Sequence, residues 1–302
     1  MESSTSSHQR LGVVMMATAV MTIPLADTIA KWLSAGLSVG EIATFRFVFQ
    51  SLFLLPFVVA FRRNGGPRGE YAVLGVLIAA SILFLFWGLK HLPLANNIAL
   101  FFVEPLILVI FSRLFLGERI TLRRWIGVTA GLVGALIIIR PNWSVYGLTS
   151  LLPIAAATCY AAYLTASRAL VRTHHHSEAL ILQFWVGLAA AGVMGLFLAV
   201  GQPPGWEIAA LSTPQGLEWV LLILAGGLAA FAHVLIVMAF ARAEASILAP
   251  LQYLEIFGAT LLGWWVFNDL PDAFTALGAV IIVAAGVYVV REKSVASQPV
   301  SD

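Results

Sequence analysis

Two glutamates lie inside long apolar stretches of this chain, in surroundings that match. Asn97, Phe101 and Glu104 recur at i, i+4 and i+7, which places them on one face of a helix. Gln252 and Glu255 belong to a corresponding stripe further along the chain. An ionised side chain within a membrane span costs roughly 2.5–3.5 kcal/mol, so each glutamate needs a partner or a task. Either it binds an ammonium group or a proton, or it is protonated or hydrogen-bonded between helices.

A second candidate pair consists of Asp27 and Arg46. Asp27 lies near the end of one apolar run and Arg46 near the start of the next. Antiparallel packing of the two helices would therefore bring the two residues to the same depth in the membrane. We therefore expect a structural ion pair that fixes the helix hairpin. The alternative is that Arg46 acts in gating or binds the carboxylate of a substrate.

Further side chains could complete a binding site around the glutamates. His233 is expected about one turn from Glu255, and Trp87 and Tyr253 could supply an aromatic lining, although packing alone would also explain each of them. Pro105 follows Glu104 and removes a backbone donor, which favours a local break in the helix. The candidate substrate site comprises Trp87, Asn97, Phe101, Glu104, His233, Gln252, Tyr253 and Glu255.

The composition places these residues in a membrane protein. The chain has 302 residues, of which 60% are hydrophobic and 11% charged, whereas a soluble domain has about 25% charged residues. The predicted fold class is an all-α integral membrane protein. Its ten predicted membrane-spanning helices lie at 11–33, 41–61, 70–89, 95–115, 122–139, 148–170, 178–200, 217–239, 246–266 and 273–290.

An internal repeat relates the two halves of the chain. A shift of 151 residues superimposes Glu104 on Glu255, and it also superimposes Gly117 on Asn268, Glu118 on Asp269, Gly127 on Gly278 and Arg140 on Arg291. This series predicts a duplication, with a first five-helix repeat at 1–141 and a second at 142–302. Such repeats are typical of secondary transporters, whose substrate sites lie between the halves. The two carboxylates are then expected to face each other.

The distribution of Lys and Arg predicts the orientation. If the N-terminus is cytoplasmic, thirteen of these residues lie at cytoplasmic ends of the spans and three at the opposite ends. Both termini are therefore predicted to be cytoplasmic. Because each half has five spans, an odd number, the two repeats are expected to be inverted relative to each other around a central cavity.

Several classes of protein are disfavoured. The sequence has no G-x-x-x-x-G-K-[ST], H-E-x-x-H or C-x-x-C motif, so we predict neither an enzyme nor a cofactor or metal site. The formal charge of +2 gives no reason to expect nucleic-acid binding. A channel would need a filter of like groups or carbonyls, and no segment offers one.

The run PLANN…EP…LGER…G…G and its repeat resemble the drug/metabolite transporter superfamily, specifically its EamA-like members. The second half departs from the family pattern at FNDLP, so no role of Gly117 or Glu118 transfers to it. Within the superfamily the chain is most similar to YddG-type bacterial aromatic amino-acid exporters. The resemblance implies a basket of helices with spans five and ten peripheral.

The resulting expectation is a secondary transporter that exports small metabolites, chiefly aromatic and apolar amino acids, across the inner membrane by alternating access. The alternatives are a carrier of a drug-like cation, a nucleobase or a sugar phosphate, and a non-transporting membrane component. The expected partners are a small-molecule substrate and the lipid bilayer. Proton coupling through the carboxylates remains an alternative to facilitated diffusion, and nothing in the sequence demands more than a monomer.

Overall fold

The computed structural model describes residues 2–34, 36–60, 69–91, 100–139, 147–172, 177–200, 212–267 and 273–290. The first half contains α1 (Glu2–Leu33), α2 (Val39–Ala60), α3 (Gly69–His91), α4 (Glu104–Leu116) and α5 (Leu122–Ile139). The second half contains a 3-10 turn at Gly147–Ser150, α6 (Leu151–Arg172), α7 (Ser177–Val200), α8 (Leu217–Phe240), α9 (Ala245–Leu248), a 3-10 turn at Ala249–Tyr253, α10 (Leu254–Phe267) and α11 (Ala273–Val290).

The all-helical, ten-span prediction is confirmed, with two differences in detail. The ninth predicted span is divided into α9, the 3-10 turn and α10. In the fourth span, α4 begins only at Glu104, and residues 92–99 lie outside the described part of the chain. Helix α2 begins with a capping box, in which Ser38 Oγ accepts from the Glu41 amide and Glu41 Oε2 accepts from the Ser38 amide.

The outer surface is that of a membrane protein. Large apolar side chains point away from the bundle, among them Trp265 at 82% exposure and Phe115 at 71%. Four described helices are long and apolar enough to cross a bilayer, and their apolar stretches are His8–Ala30, Gly40–Ala60, Ala179–Val200 and Leu217–Phe240. Lipid removes these apolar surfaces from water, and the helices pair their own backbone N–H and C=O groups in hydrogen bonds.

The main helix contacts join one half of the chain to the other. Helix α1 packs on α8 and α10, α2 on α7 and α8, α3 on α6 and α7, α4 on α6, and α5 on α11. Exchanging the two halves leaves this set of pairs unchanged, as a pseudo-twofold relation requires. The division at residues 141 and 142 and the inversion of the repeats remain predictions.

Helices α5 and α11 form a close pair, because glycines on α5 leave no side chain between them. A Cβ atom on Gly134 would lie 2.9 Å from the carbonyl oxygen of Gly278, and one on Gly127 would collide with Val289. Helix α5 therefore uses its small-residue face for packing within the chain.

Candidate functional site

Both halves contain a helix that is interrupted at the same place in the repeat. Phe102 and Val103 form a turn immediately before α4, and Pro105 occupies the first turn of that helix. In the second half, the 3-10 turn that contains Pro250 ends at Tyr253, immediately before α10. The break expected at Pro105 is present, and a second break lies at the corresponding position.

The two interruptions touch each other through equivalent residues. The Tyr253 hydroxyl donates to the Phe102 carbonyl oxygen at 3.2 Å, and 151 residues separate the two, which is the shift found in the sequence. Their ring centroids lie 6.1 Å apart. Because residues related by the repeat meet here, the pseudo-twofold axis passes through or near this contact.

Glu104 and Glu255 begin the helices that follow the interruptions. Glu104 is 2% exposed, and among the described residues its Oε1 atom has no hydrogen-bond partner. It interacts electrostatically with Glu255 and with the adjacent side chain of Gln252, although neither Glu104 Oε1 nor Gln252 Nε2 has the geometry of a hydrogen bond to any described residue. The sequence thus identified three side chains that the fold brings together, and two of them carry polar atoms that no described residue satisfies.

Asp27 is an accessible acidic side chain on the bundle-facing side of α1. Ile23, Val20 and Met16 precede Asp27 on the same face of α1 and are buried, whereas Leu25 on the opposite face is exposed to lipid. Asp27 is nevertheless exposed, and it interacts electrostatically with both Arg46 and Glu255. Accessibility on the bundle-facing side of a helix is what an internal cavity would produce.

The ion pair expected between Asp27 and Arg46 stays a prediction. The two side chains interact electrostatically, but no ion pair joins them among the described residues, and the buried Arg46 Nε atom has no hydrogen-bond partner there. The reason is helix packing, since α1 rests mainly on α8 and α10 while α2 rests on α7 and α8. Helices that are adjacent in sequence are not the closest neighbours in space.

Two tyrosines of α6 belong to the region although the sequence analysis did not select them. Tyr160 interacts electrostatically with Arg46, Glu104 and Glu255, and its ring centroid lies 5.9 Å from that of Phe101. Tyr163 is fully buried, and its hydroxyl accepts from Gln183 Nε2 at 2.7 Å. The available signal was the spacing i, i+3 and i+7 of Tyr160, Tyr163 and Ser167, which forms a polar stripe on an apolar helix.

The remaining predicted site residues differ in their burial and in their contacts. Tyr253 is fully buried, packs against Gly131 and binds the Phe102 carbonyl, and its contact with substrate stays a prediction. His233 is also buried, with Nδ1 2.9 Å from the Ala229 carbonyl oxygen, although it interacts electrostatically with Arg46. Trp87 is half-buried in α3 and its role stays a prediction, while Asn97 lies outside the described residues.

We define the central cluster as the residues that surround the interruptions and interact electrostatically or lie in contact there: Asp27, Arg46, Phe101, Glu104, Tyr160, Gln252 and Glu255. In the described part of the chain, no three His, Cys, Asp or Glu side chains are close enough to hold a metal ion. The acidic groups instead lie within electrostatic or contact range of amide, guanidinium and aromatic groups. Such a set can bind an organic molecule that carries both charges and an apolar part.

A second polar assembly joins the ends of several helices away from the central cluster. Glu118, just after α4, accepts from Arg168 Nε at 2.6 Å, from the Ala245 amide at 3.0 Å, and from the Ser246 amide and hydroxyl at 3.1 and 2.9 Å. Arg124 Nη1 donates to the Glu244 carboxylate and, at 2.7 Å, to Ser246 Oγ. We call Glu118, Arg124, Arg168, Glu244 and Ser246 the Glu118 network.

Gly117 and Arg168 position this network. Gly117 ends α4 in the left-handed conformation with φ 66°, which turns the chain so that Glu118 reaches the start of α9. Arg168 also bonds the carbonyl oxygens of Phe240 and Ala243 at the end of α8. Burial alone would raise the pKa of Glu118, but Arg168 and the bonds from Ser246 and Ala245 outweigh it and hold the pKa below its usual value.

The helical bundle, its paired interruptions and the polar side chains gathered beside them are features expected of a membrane carrier. A model of the EamA-like transporter family matches residues 10–140 and, a second time, residues 147–291. The chain therefore belongs to the EamA-like transporter family, and it is a multi-pass membrane protein.

Curated relatives extend over nearly the whole chain. It is 26% identical to the S-adenosylmethionine uptake transporter of Rickettsia prowazekii (strain Madrid E), with 95% of each chain covered. It is 29% identical to the riboflavin transporter of Vibrio cholerae serotype O1, with 95% of each covered. It is 30% identical to the pseudopaline exporter CntI of Pseudomonas aeruginosa (strain UCBPP-PA14), with 93% of this chain and 96% of the relative covered. These names describe transporters of small molecules and none describes an enzyme.

The fold also matches a solved crystal structure. The TM-score is 0.76, and the match covers 96% of this chain and 98% of the other at 19% sequence identity. At that identity the similarity concerns the fold alone.

Proposed function

We propose that this protein is a secondary transporter of amino-acid-type zwitterions, with aromatic and other apolar amino acids preferred, which it exports across the inner membrane by alternating access. The observation that carries the proposal is the unsatisfied polarity of the central cluster. Glu104 Oε1, Gln252 Nε2 and Arg46 Nε are buried atoms without hydrogen-bond partners among the described residues. Buried polar groups are nearly always paired, so unpaired ones gathered at one place favour a ligand site.

The chemistry of the cluster matches both ends of an amino acid. The ammonium group would bind to Glu255 and Glu104, with Asp27 contributing attraction from the accessible side. The carboxylate would bind to Arg46, which lies within electrostatic range of Asp27 and Glu255. The half-buried Phe101 ring offers an apolar wall for the side chain. Interrupted helices at the junction of two repeats are a common setting for such sites.

The relatives agree on a small-molecule substrate but not on which one. At 26 to 30% identity they are named for S-adenosylmethionine, riboflavin and pseudopaline, and they include both uptake and export. S-adenosylmethionine has an amino-acid head, which the proposed site would accept. Export is proposed from the resemblance to amino-acid exporters, and uptake is the competing direction. The proposal also includes the orientation of the protein, with both termini in the cytoplasm.

A planar aromatic solute such as a flavin is the second candidate. It is favoured by the ring pair of Phe101 and Tyr160, with centroids 5.9 Å apart, and by the relatives named riboflavin transporters. A flavin would bind through the aromatic rings and the amide groups, and its binding would not require the three carboxylates. It therefore predicts that neutralising Glu255 has little effect on transport.

Counterflow in proteoliposomes tests the proposal. Vesicles loaded with unlabelled phenylalanine should accumulate labelled phenylalanine, and unlabelled leucine or tryptophan should compete better than riboflavin. Glu255→Gln should abolish most of the accumulation, whereas the matched change Glu70→Gln, at an exposed position in the first turn of α3, should leave it intact. The proposal fails if wild-type vesicles show counterflow of riboflavin but of no amino acid. Vesicles that contain the protein in one known orientation are supplied with phenylalanine first inside and then outside. Comparing the two transport rates distinguishes export from uptake.

A further inference from the structure

Tyr160 and Tyr163 stand one turn apart on α6 but have different hydrogen-bonding states. The Tyr163 hydroxyl is fixed by Gln183 Nε2 at 2.7 Å, and Gln183 Oε1 in turn accepts from Gln50 at 3.4 Å. Among the described residues the Tyr160 hydroxyl has no hydrogen-bond partner. Tyr160 is half-buried, and its hydroxyl is not one of the buried unsatisfied atoms. The phenol of Tyr160 therefore has access to the internal space.

The charges around Tyr160 come from three other helices. It interacts electrostatically with Arg46 on α2, Glu104 on α4 and Glu255 on α10. Its ring position is set by contacts with Phe101, at a centroid distance of 5.9 Å, and with Tyr163, at 5.8 Å. The ring is held between two others, and Tyr160 is within electrostatic range of both the acidic groups and the guanidinium.

We propose that Tyr160 is a specificity-determining residue, whose hydroxyl donates a hydrogen bond to the carboxylate of the substrate beside Arg46. This rests on the proposed function, because it assumes an amino-acid-type substrate. The acidic side chains already provide acceptors for an ammonium group, and carboxylates cannot donate unless protonated. The carboxylate of a zwitterion needs donors, and a neutral hydroxyl next to a guanidinium supplies one without adding charge. Tyr160 thereby selects amino acids over the corresponding amines.

The test compares phenylalanine with phenethylamine, which has the same ring and ammonium group but no carboxylate. Competition in the counterflow assay gives an inhibition constant for each. In the wild type phenylalanine should bind more tightly. Tyr160→Phe should weaken phenylalanine by roughly tenfold to a hundredfold, the equivalent of one hydrogen bond to a charged group, and leave phenethylamine nearly unchanged.

Tyr163→Phe is the matched control, because it removes a hydroxyl that is already bonded to Gln183. It should lower thermal stability and preserve the ratio of the two inhibition constants. If Tyr160→Phe does not reconstitute, Tyr160→Met removes the same hydroxyl and is measured instead. A wild-type ratio in either Tyr160 variant overturns this inference while leaving the proposed function intact. Absence of amino-acid counterflow in the wild type would instead overturn the proposed function.

Discussion

Glu118 of the Glu118 network and Glu104 of the central cluster are both buried carboxylates, but the fold satisfies their oxygens differently. Both oxygens of Glu118 are bonded, by Arg168, Ala245 and Ser246. In the central cluster, Glu104 and Gln252 are similarly buried, yet each has an atom with no partner among the described residues. This difference is the one expected if Glu118 holds helices together and Glu104, as proposed, binds the transported molecule.

The largest effect on stability is expected from the Glu118 network. Arg168→Ala leaves Glu118 and the carbonyl groups of Phe240 and Ala243 without their main donor. Removing one member of a buried ion pair typically costs about 3–5 kcal/mol. The free energy of unfolding, measured by denaturant titration in detergent micelles, should fall by that amount. The double variant with Glu118→Ala should lose less than the sum of the two single losses, and additive losses would mean that the pair is not coupled.

The central cluster should behave in the opposite way. Glu104→Gln preserves the shape of the side chain and replaces a buried carboxylate whose Oε1 atom has no hydrogen-bond partner among the described residues. The free energy of unfolding should therefore stay within about 1 kcal/mol of the wild type or rise. Substrate affinity should fall at least about tenfold, because an interaction with an ammonium group is lost. Binding and unfolding are measured on the same preparation. If Glu104→Gln unfolds more easily and binds normally, Glu104 is a structural residue and the comparison fails.

Acid should weaken the Glu118 network. The folded protein holds the pKa of Glu118 below its usual value, so the folded state binds a proton less readily than the unfolded chain. The stabilisation is complete above the ordinary carboxyl pKa of about 4.3 and is lost as the pH falls through the lower, folded-state pKa. Unfolding measured from pH 7 to pH 3 should show a steeper acid loss for the wild type than for Glu118→Gln. Parallel curves would show that Glu118 does not contribute.

The smallest effect is expected from the exposed Asp27 and the half-buried Arg46. They interact electrostatically, but no ion pair joins them among the described residues, and a pair with one exposed partner is expected to be coupled by about 0–1 kcal/mol. A double-mutant cycle on the free energy of unfolding, with Asp27→Asn and Arg46→Gln, should give a coupling in that range. A coupling of several kcal/mol would indicate a closed ion pair and would place this pair with the structural network instead.

Much of the fold could be predicted because hydropathy and proline act locally. Ten spans follow from apolar length, and the break before α4 follows from Pro105, which cannot donate a backbone hydrogen bond. The repeat shift of 151 also anticipated that Glu104 and Glu255 would interact, and the same shift separates Phe102 from Tyr253, which are in contact. These features depend on sequence order and symmetry.

The omissions concern which helices become neighbours. Periodicity places Asp27 and Arg46 on faces of their helices but does not show that α1 packs on α8 and α10 rather than closely along α2. Glu118 and Arg168 are 50 residues apart, so nothing local connects them. Tyr160 was missed because a tyrosine in an apolar helix is usually a packing residue, and its free hydroxyl is visible only in the folded chain.

Substrate protection of a cysteine inside the central cluster tests the central claim most directly. In a Cys159→Ser background, Phe101→Cys places one thiol beside Tyr160, and Thr213→Cys places a control thiol at an exposed position outside the cluster. With phenylalanine at ten times its dissociation constant, about one site in eleven is free. Alkylation at position 101 should then slow about tenfold while alkylation at position 213 stays constant. Equal rates at position 101 with and without phenylalanine, in a preparation that shows counterflow, would contradict a substrate site between the two interrupted helices.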